Sequence, residues 1–203
     1  MNTQTKHTQD KLSPKDAHQL LVDGNWRFSQ NLKAQRNLKD QVLHTSRGQY
    51  PFAAILSCID SRVPAELIFD LGIGDIFSVR IAGNIINDDI LGSLEYSCKV
   101  SGAKIVVVLG HSNCGAVTAA CQHVELGKIT GLLNKIKPVM EQINKTSFDT
   151  DGIELVAQEN VHWSIKRIRD ESPILAEMEK NGEIEILGAY YDLNTGLVTF
   201  YED

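Results

Sequence analysis

A thiol at Cys58 and a paired imidazole and thiol in His111-Ser112-Asn113-Cys114 are the groups in this 203-residue chain with the most evident capacity for chemistry. Each follows a short, continuous apolar run, residues 52–56 before Cys58 and 105–109 before His111. Such runs suit central parallel strands covered on both faces, and a strand carries side chains to its end with little freedom. Placed at the carboxyl ends of two adjacent strands, Cys58, His111 and Cys114 would converge on one metal. Zinc takes sulfur and nitrogen donors tetrahedrally; structural sites supply four protein ligands, whereas catalytic sites keep the fourth position for water. Three protein ligands leave that position open. Asp60-Ser61-Arg62 then sets a carboxylate and a guanidinium beside it.

These groups need a scaffold. From Pro51 the chain alternates short apolar runs with longer amphipathic stretches, the pattern of β-α units and a mostly parallel sheet. Residues 52–56, 76–79, 105–109 and 184–187 read as parallel strands. Tyr191-Asp192-Leu193-Asn194-Thr195-Gly196 turns the chain into a last strand, 197–201, at an antiparallel edge. Residues 89–100, 115–125, 131–144 and 153–170 read as helices, and Ser172-Pro173 opens a further short one. In such sheets ligands sit beyond the carboxyl ends of the strands, where the strand order reverses.

The first eleven residues are polar and expected to fray. Ser13-Pro14-Lys15-Asp16 supplies an N-cap, a proline at the first helical position and an acid in the first turn. Gly24 interrupts the helix that starts there, and Leu20, Leu21, Trp26 and Phe28 lack a clean period. This predicts an arm packed outside the main core, against a partner subunit. The expected fold class is α/β: about four parallel strands plus an antiparallel C-terminal edge strand, flanked by helices. One domain is expected over 1–203, with 1–45 as helical arm and 46–203 as core, and residues 145–152 as the only linker-like piece.

With 42% hydrophobic residues the chain can bury a core without covalent staples. A net charge of -6 and a pI near 5.5 offer no basic footprint for nucleic acid, so the expected partner is a small molecule. No apolar run approaches the ~18 residues of a membrane span, and residues 1–10 lack the apolar segment of a secretory signal; cytoplasmic residence is the expectation. Four cysteines are too few for a disulfide scaffold, and in a reducing compartment such residues bind metal, catalyse or pack. Cys98 and Cys121 read as core. Gly72-Ile73-Gly74 lacks the third glycine of a dinucleotide loop, and no Gly-Lys-Ser/Thr phosphate cradle occurs.

Cys58-Ile59-Asp60-Ser61-Arg62 and His111-Ser112-Asn113-Cys114-Gly115 resemble the two signature motifs of the β-class carbonic anhydrases. The resemblance runs roughly from Gln49 to Thr199 and includes the stretch Gly74 to Asn84, Ser93-Leu94-Glu95-Tyr96 and Gly188-Ala189-Tyr190-Tyr191-Asp192. It implies one zinc ion per subunit on Cys58, His111 and Cys114, with hydroxide in the fourth place as nucleophile toward carbon dioxide. Two thiolates oppose the acidity this requires, and Asp60 compensates. Oriented by Arg62, its carboxylate accepts a hydrogen bond from the hydroxide and keeps a lone pair aimed at carbon. Gln49 matches a substrate hydrogen-bond donor, the Gly115 N–H an anion donor, and Phe77, Ala82 and Tyr96 an apolar cleft that in the family comes from the neighbouring subunit; Phe77 and Tyr96 read equally as core residues. Self-association as dimer or tetramer follows.

In some family members this aspartate takes the open zinc position at lower pH, and in a subset bicarbonate stabilises that state through a tryptophan three residues before the first cysteine. That position here is Ile55, which has no indole N–H to offer, so the chain resembles the open subgroup. His44, His123 and His162 are candidates for proton transfer. Two alternatives share the ligands: hydrolysis of carbonyl sulfide or carbon disulfide, and a non-catalytic zinc protein closed by Asp60. The physiological use, whether carbon utilization, pH control or acid survival, has no mark in the sequence.

Overall fold

A computed structural model describes residues 3–143 and 147–201. Among the described residues it has five strands, β1 (Ala53–Ser57), β2 (Ile76–Arg80), β3 (Ile105–His111), β4 (Glu185–Tyr191) and β5 (Val198–Phe200). They form one sheet in the order β2-β1-β3-β4-β5, with β2, β1, β3 and β4 parallel and β5 antiparallel to β4. The helices are α1 (Lys6–Lys11), α2 (Pro14–Ser29), α3 (Leu38–Thr45), α4 (Ala65–Ile68), α5 (Asp88–Glu95), α6 (Gly115–Cys121), α7 (Gly127–Leu133), α8 (Lys137–Ile143), α9 (Thr150–Glu171) and α10 (Pro173–Lys180).

Every residue of β1 and β3 is buried, as their unbroken apolar character requires. Successive side chains serve opposite faces. Ala54, Leu56, Val106, Val108 and Ile186 pack with Leu94, Val117, Val139, Val161 and Leu175 on one side; Ala53, Ile55, Ile105, Val107 and Leu187 pack with Ala17, Leu21, Ala65 and Ile68 on the other. Cys98 and Cys121 are buried on the first side, as their reading as core requires. No helix among the described residues is long and apolar enough to cross a membrane.

The amino-terminal segment departs from expectation in two ways. Residues 6–11 do not fray: Thr5 and Thr8 form a capping box for α1, and the buried Gln9 donates to the carbonyls of Pro51 at 2.7 Å and Ser101 at 2.8 Å. Nor does the inner face of α2 lie outside the core. Ala17, Leu21, Gly24 and Asn25 are buried, and Gly24 interrupts nothing: a Cβ there would stand 1.9 Å from the Phe69 carbonyl oxygen, so glycine lets the helix touch that backbone. Val22 and Trp26 on the outer face stay exposed.

Three helix boundaries also differ from expectation. Residues 89–100 form α5 followed by a π-turn over Tyr96–Val100. Residues 131–144 divide between α7 and α8, because Pro138 has no N–H to give and is accommodated only in a first turn. α9 begins at Thr150, capped by Asp149, inside the piece read as a linker. Asn144 and the start of that piece fall outside the described residues.

Candidate metal centre and active site

β1 and β3 run side by side with Ser57 opposite Leu109, so Cys58 and His111 emerge at the same edge of the sheet. β2 lies on one side of β1 and β3 on the other; the order reverses here, the place where ligand sites lie in open α/β sheets. Cys114 closes the short loop between β3 and α6 and caps that helix.

The ligand atoms of Cys58, His111 and Cys114 lie within 4.8 Å of one another, and all three residues are buried. The sulfurs stand 4.0 Å apart, close to the ~3.8 Å expected for two sulfurs bound tetrahedrally at ~2.3 Å. His111 Nδ1 lies 2.9 Å from the Ser112 carbonyl oxygen and donates its proton there. That leaves Nε2 as the acceptor, buried with no hydrogen-bond partner. An orphaned imidazole nitrogen facing two buried sulfurs is the donor set zinc takes.

Charge supports the same conclusion. The hydrogen bond to Cys114 pulls the Cys58 pKa far below the ordinary thiol value; burial opposes it, and His111 and the Gly83 and Asp60 N–H groups assist. Cys114, facing that sulfur, is pushed up by the same hydrogen bond and then by burial. Two buried sulfurs at this distance do not both ionise unless a cation lies between them. Cys98 and Cys121 are also raised, to about 12 and about 11, by burial alone.

Asp60 stands beside this cluster without joining it. Arg62 grips the carboxylate, Nε to Oδ1 at 2.9 Å and Nη2 to Oδ2 at 2.8 Å, and the Arg62 N–H adds a third bond at 2.9 Å. The Arg62 side chain is the main reason the Asp60 pKa falls to about 2. Arg80 fixes the backbone below, donating to the carbonyls of Cys58 at 3.0 Å and Asp60 at 2.6 Å. The carboxylate is therefore ionised at neutral pH, oriented by Arg62 and not a member of the three-donor cluster.

A family model described as carbonic anhydrase matches residues 53–198. Carbonic anhydrase 2 of Mycobacterium tuberculosis is 35% identical over 190 residues, covering 91% of each chain. The carbonic anhydrase of Mycolicibacterium smegmatis is 32% identical over 201 residues, covering 92% of each. Among solved structures, the β-carbonic anhydrase CafA of Aspergillus fumigatus matches with a TM-score of 0.74 at 26% identity, over 93% of this chain and 91% of that one. The chain belongs to the β-class carbonic anhydrases. As a member it is an enzyme, a carbonate dehydratase. Tetrameric β-carbonic anhydrases of Sordaria macrospora share the fold, with a TM-score of 0.71 at 23% identity over 81% of this chain and 91% of theirs.

The remaining residues of the β-class carbonic anhydrase motifs occupy different places. Gly115 opens α6 beside Cys114, and a Cβ there would meet no atom within 4 Å. Ala82 begins the short turn Ala82–Asn84, whose next N–H, from Gly83, donates to Cys58 Sγ at 3.3 Å. Phe77 and Tyr96 meet edge to face, centroids 6.2 Å apart, and line a cleft of about 750 Å³ with Asp88, Asp89 and Ser93. None of Cys58, His111 and Cys114 lines that cleft. Gln49 is exposed at the amino end of β1, the end opposite Cys58. Gly83 and Arg80 carry no role in the sequence reading; a glycine and an arginine within the resembling stretch are the only signal they give.

Proposed function

We propose that the chain catalyses the reversible hydration of carbon dioxide to bicarbonate and a proton, using a zinc ion held by Cys58, His111 and Cys114. The observation that carries this reading is the placement of Asp60: its carboxylate is held by Arg62 next to a buried three-donor cluster that it does not enter. A non-catalytic site closed by Asp60 would have it among the donors. When bound, the metal supplies Lewis acidity and an oxygen nucleophile near neutral pH.

The residues around it bind and orient. Asp60, ionised, can only accept; it takes a hydrogen bond from the attacking oxygen and turns a lone pair toward carbon. Arg62 keeps that carboxylate from rotating, since a two-point guanidinium contact fixes both oxygens. The Gly115 N–H and the Gln49 amide donate to substrate oxygens, and Phe77, Ala82 and Tyr96 give the uncharged substrate an apolar lining. Gln49 at the far end of β1 and the Phe77–Tyr96 cleft away from the ligands suit contributions from a second copy, so the active unit is a dimer or tetramer. The exposed face of α2 and α3, with Trp26, Leu38, Val42 and Leu43, is apolar enough for that contact.

Ile55 is fully buried and aliphatic, so bicarbonate is not expected to inhibit cooperatively. We place the chain in the cytoplasm, where its four free cysteines stay reduced, and treat it as one domain.

Stopped-flow hydration above pH 8, run beside a carbonyl sulfide assay and metal analysis, tests the reading. Wild type should carry one zinc and hydrate carbon dioxide; Cys58→Ala should lose both, and Asp60→Asn should keep zinc while losing about 100-fold in rate through misorientation. One tightly held zinc with no hydration at any pH would overturn the proposal, as would turnover of carbonyl sulfide alone.

A further inference from the structure

The turn Ala82–Asn84 carries a peptide N–H onto the first metal ligand, yet it does not support itself. Gly83 (φ 68) and Asn84 (φ 40) are both left-handed, a conformation that costs energy for asparagine and persists only where the surroundings fix it. Gly83 is also hemmed in, since a Cβ would lie 3.0 Å from Ile136 and 3.3 Å from Ala116. The peptide planes themselves are held by α9. Asn160 Nδ2 donates to the Gly83 carbonyl at 2.8 Å, Ser164 Oγ to the Asn84 carbonyl at 3.0 Å and Arg167 Nη1 to the Ile86 carbonyl at 2.8 Å. These three positions share one face of the helix. Asn160 is 1% exposed and sits among Val156, Ala157 and Val161, where an amide is costly unless bonded. Packing alone would favour an aliphatic residue there.

We propose that Asn160 is a positioning residue of the metal centre: by holding the Gly83 carbonyl, in the peptide after the one that carries the Gly83 N–H, it restricts rotation at the hemmed-in Gly83 and so keeps that N–H directed at Cys58 Sγ. That bond withdraws charge from the sulfur and fixes its direction. The inference rests on Cys58 being a metal ligand, as proposed above. Groups that orient a ligand in this way are worth about 10- to 100-fold in metal affinity. Ser164 acts one peptide further along, in the same direction and more weakly.

Cobalt(II) substitution reads the effect without recourse to activity. A sulfur relieved of its N–H donor gives up charge more easily, so its charge-transfer band to cobalt moves to longer wavelength. Wild type should show a thiolate-to-cobalt band; Asn160→Leu should shift it to longer wavelength and weaken zinc binding, measured by chelator competition, by about 10-fold or more. Ser164→Ala should shift the band less. Variants that keep the wild-type near-ultraviolet circular dichroism, the wild-type band and the wild-type zinc affinity would overturn the role of Asn160. If Asn160→Leu fails to fold, Ser164→Ala decides: a shifted band supports the inference and an unmoved one overturns it. No thiolate band in wild-type protein would instead refute the metal reading itself, and this inference with it.

Discussion

Replacing Gly24 by alanine should destabilise the protein, although the same change in an ordinary helix interior stabilises by about 1 kcal/mol. The new Cβ would lie 1.9 Å from the Phe69 carbonyl oxygen, whereas such contacts do not fall below 3.0 Å. The difference, 3.0 minus 1.9, is at least 1.1 Å that α2 or the Phe69 backbone must yield. Next to it, Asn25 bonds to the Ile68 carbonyl at 3.2 Å, the Gly196 carbonyl at 3.0 Å and the Val198 N–H at 2.8 Å. An ångström of retreat breaks these, at about 1 kcal/mol each, and overpacking costs about 1–3 kcal/mol. Less the helix-propensity gain, the net loss is about 3–5 kcal/mol. For a chain of this size that lowers the melting temperature by about 6–20 °C. Gly131→Ala in α7 is the control, because a Cβ there meets nothing within 4 Å; it should be neutral or stabilising by up to about 1 kcal/mol. Thermal unfolding by circular dichroism reads both. A Gly24→Ala protein that melts at or above wild type would refute the claim that this glycine exists for close approach.

Two further outcomes follow from buried charges and hydroxyls. Burial would raise the Asp70 pKa, but hydrogen bonds from Arg27, Arg36 and the Ala34 N–H outweigh it and hold it below the ordinary value; its stabilisation is complete above the unfolded value near ~4 and fades as pH falls through the lower folded one. Asp70→Asn should thus cost about 3 kcal/mol at neutral pH, with the gap to wild type closing in acid; urea unfolding along a pH series checks it, and a gap independent of pH would contradict it. Tyr190 donates to Glu154 Oε1 at 2.5 Å, so Glu154→Leu should strand a buried hydroxyl and cost about 1–3 kcal/mol, while adding Tyr190→Phe should recover most of the loss. Additive losses in the double variant would show that this hydrogen bond contributes nothing to stability.

The parallel strands are legible because a continuous apolar run bounded by turn residues fits little besides a strand covered on both faces, and the Cys58–His111–Cys114 cluster because its members follow two such runs directly. What escapes is stabilised by groups whose partners are distant in sequence. The inward face of α2 is Ala17, Leu21, Gly24 and Asn25, a clean helical period, but two of its members are not apolar and hydropathy does not register them. Gln9 is buried by the demands of carbonyls at Pro51 and Ser101, which nothing near residue 9 announces. α3 escapes for the opposite reason: Leu38, Val42 and Leu43 are exposed, and its buried residue, Gln41, serves the Ile73 N–H. The three-donor motifs are readable in one chain, whereas no local pattern announces that Gln49 stands at the end of β1 opposite Cys58 or that Phe77 and Tyr96 line a cleft containing none of the three donors.

Two loops abut the Cys58–His111–Cys114 cluster, the Ala82–Asn84 turn whose Gly83 N–H reaches Cys58 and the His111–Cys114 loop, and each contains a non-glycine residue in the left-handed region, Asn84 at φ 40 and Asn113 at φ 53. Strain of this kind persists only where neighbours over-determine the backbone. Asn84 has Ser164 on its carbonyl; Asn113 has Glu154 on its N–H and Arg62 on its carbonyl, each at 3.4 Å. One helix, α9, therefore restrains both loops, at Glu154 near its start and at Asn160 and Ser164 around and just beyond its middle. These loops draw part of their rigidity from outside, from a long helix packed on one face of the sheet whose polar side chains reach them. Loss of an α9 polar group should for this reason disturb metal geometry before it disturbs the sheet, whose own apolar layers do not depend on those bonds.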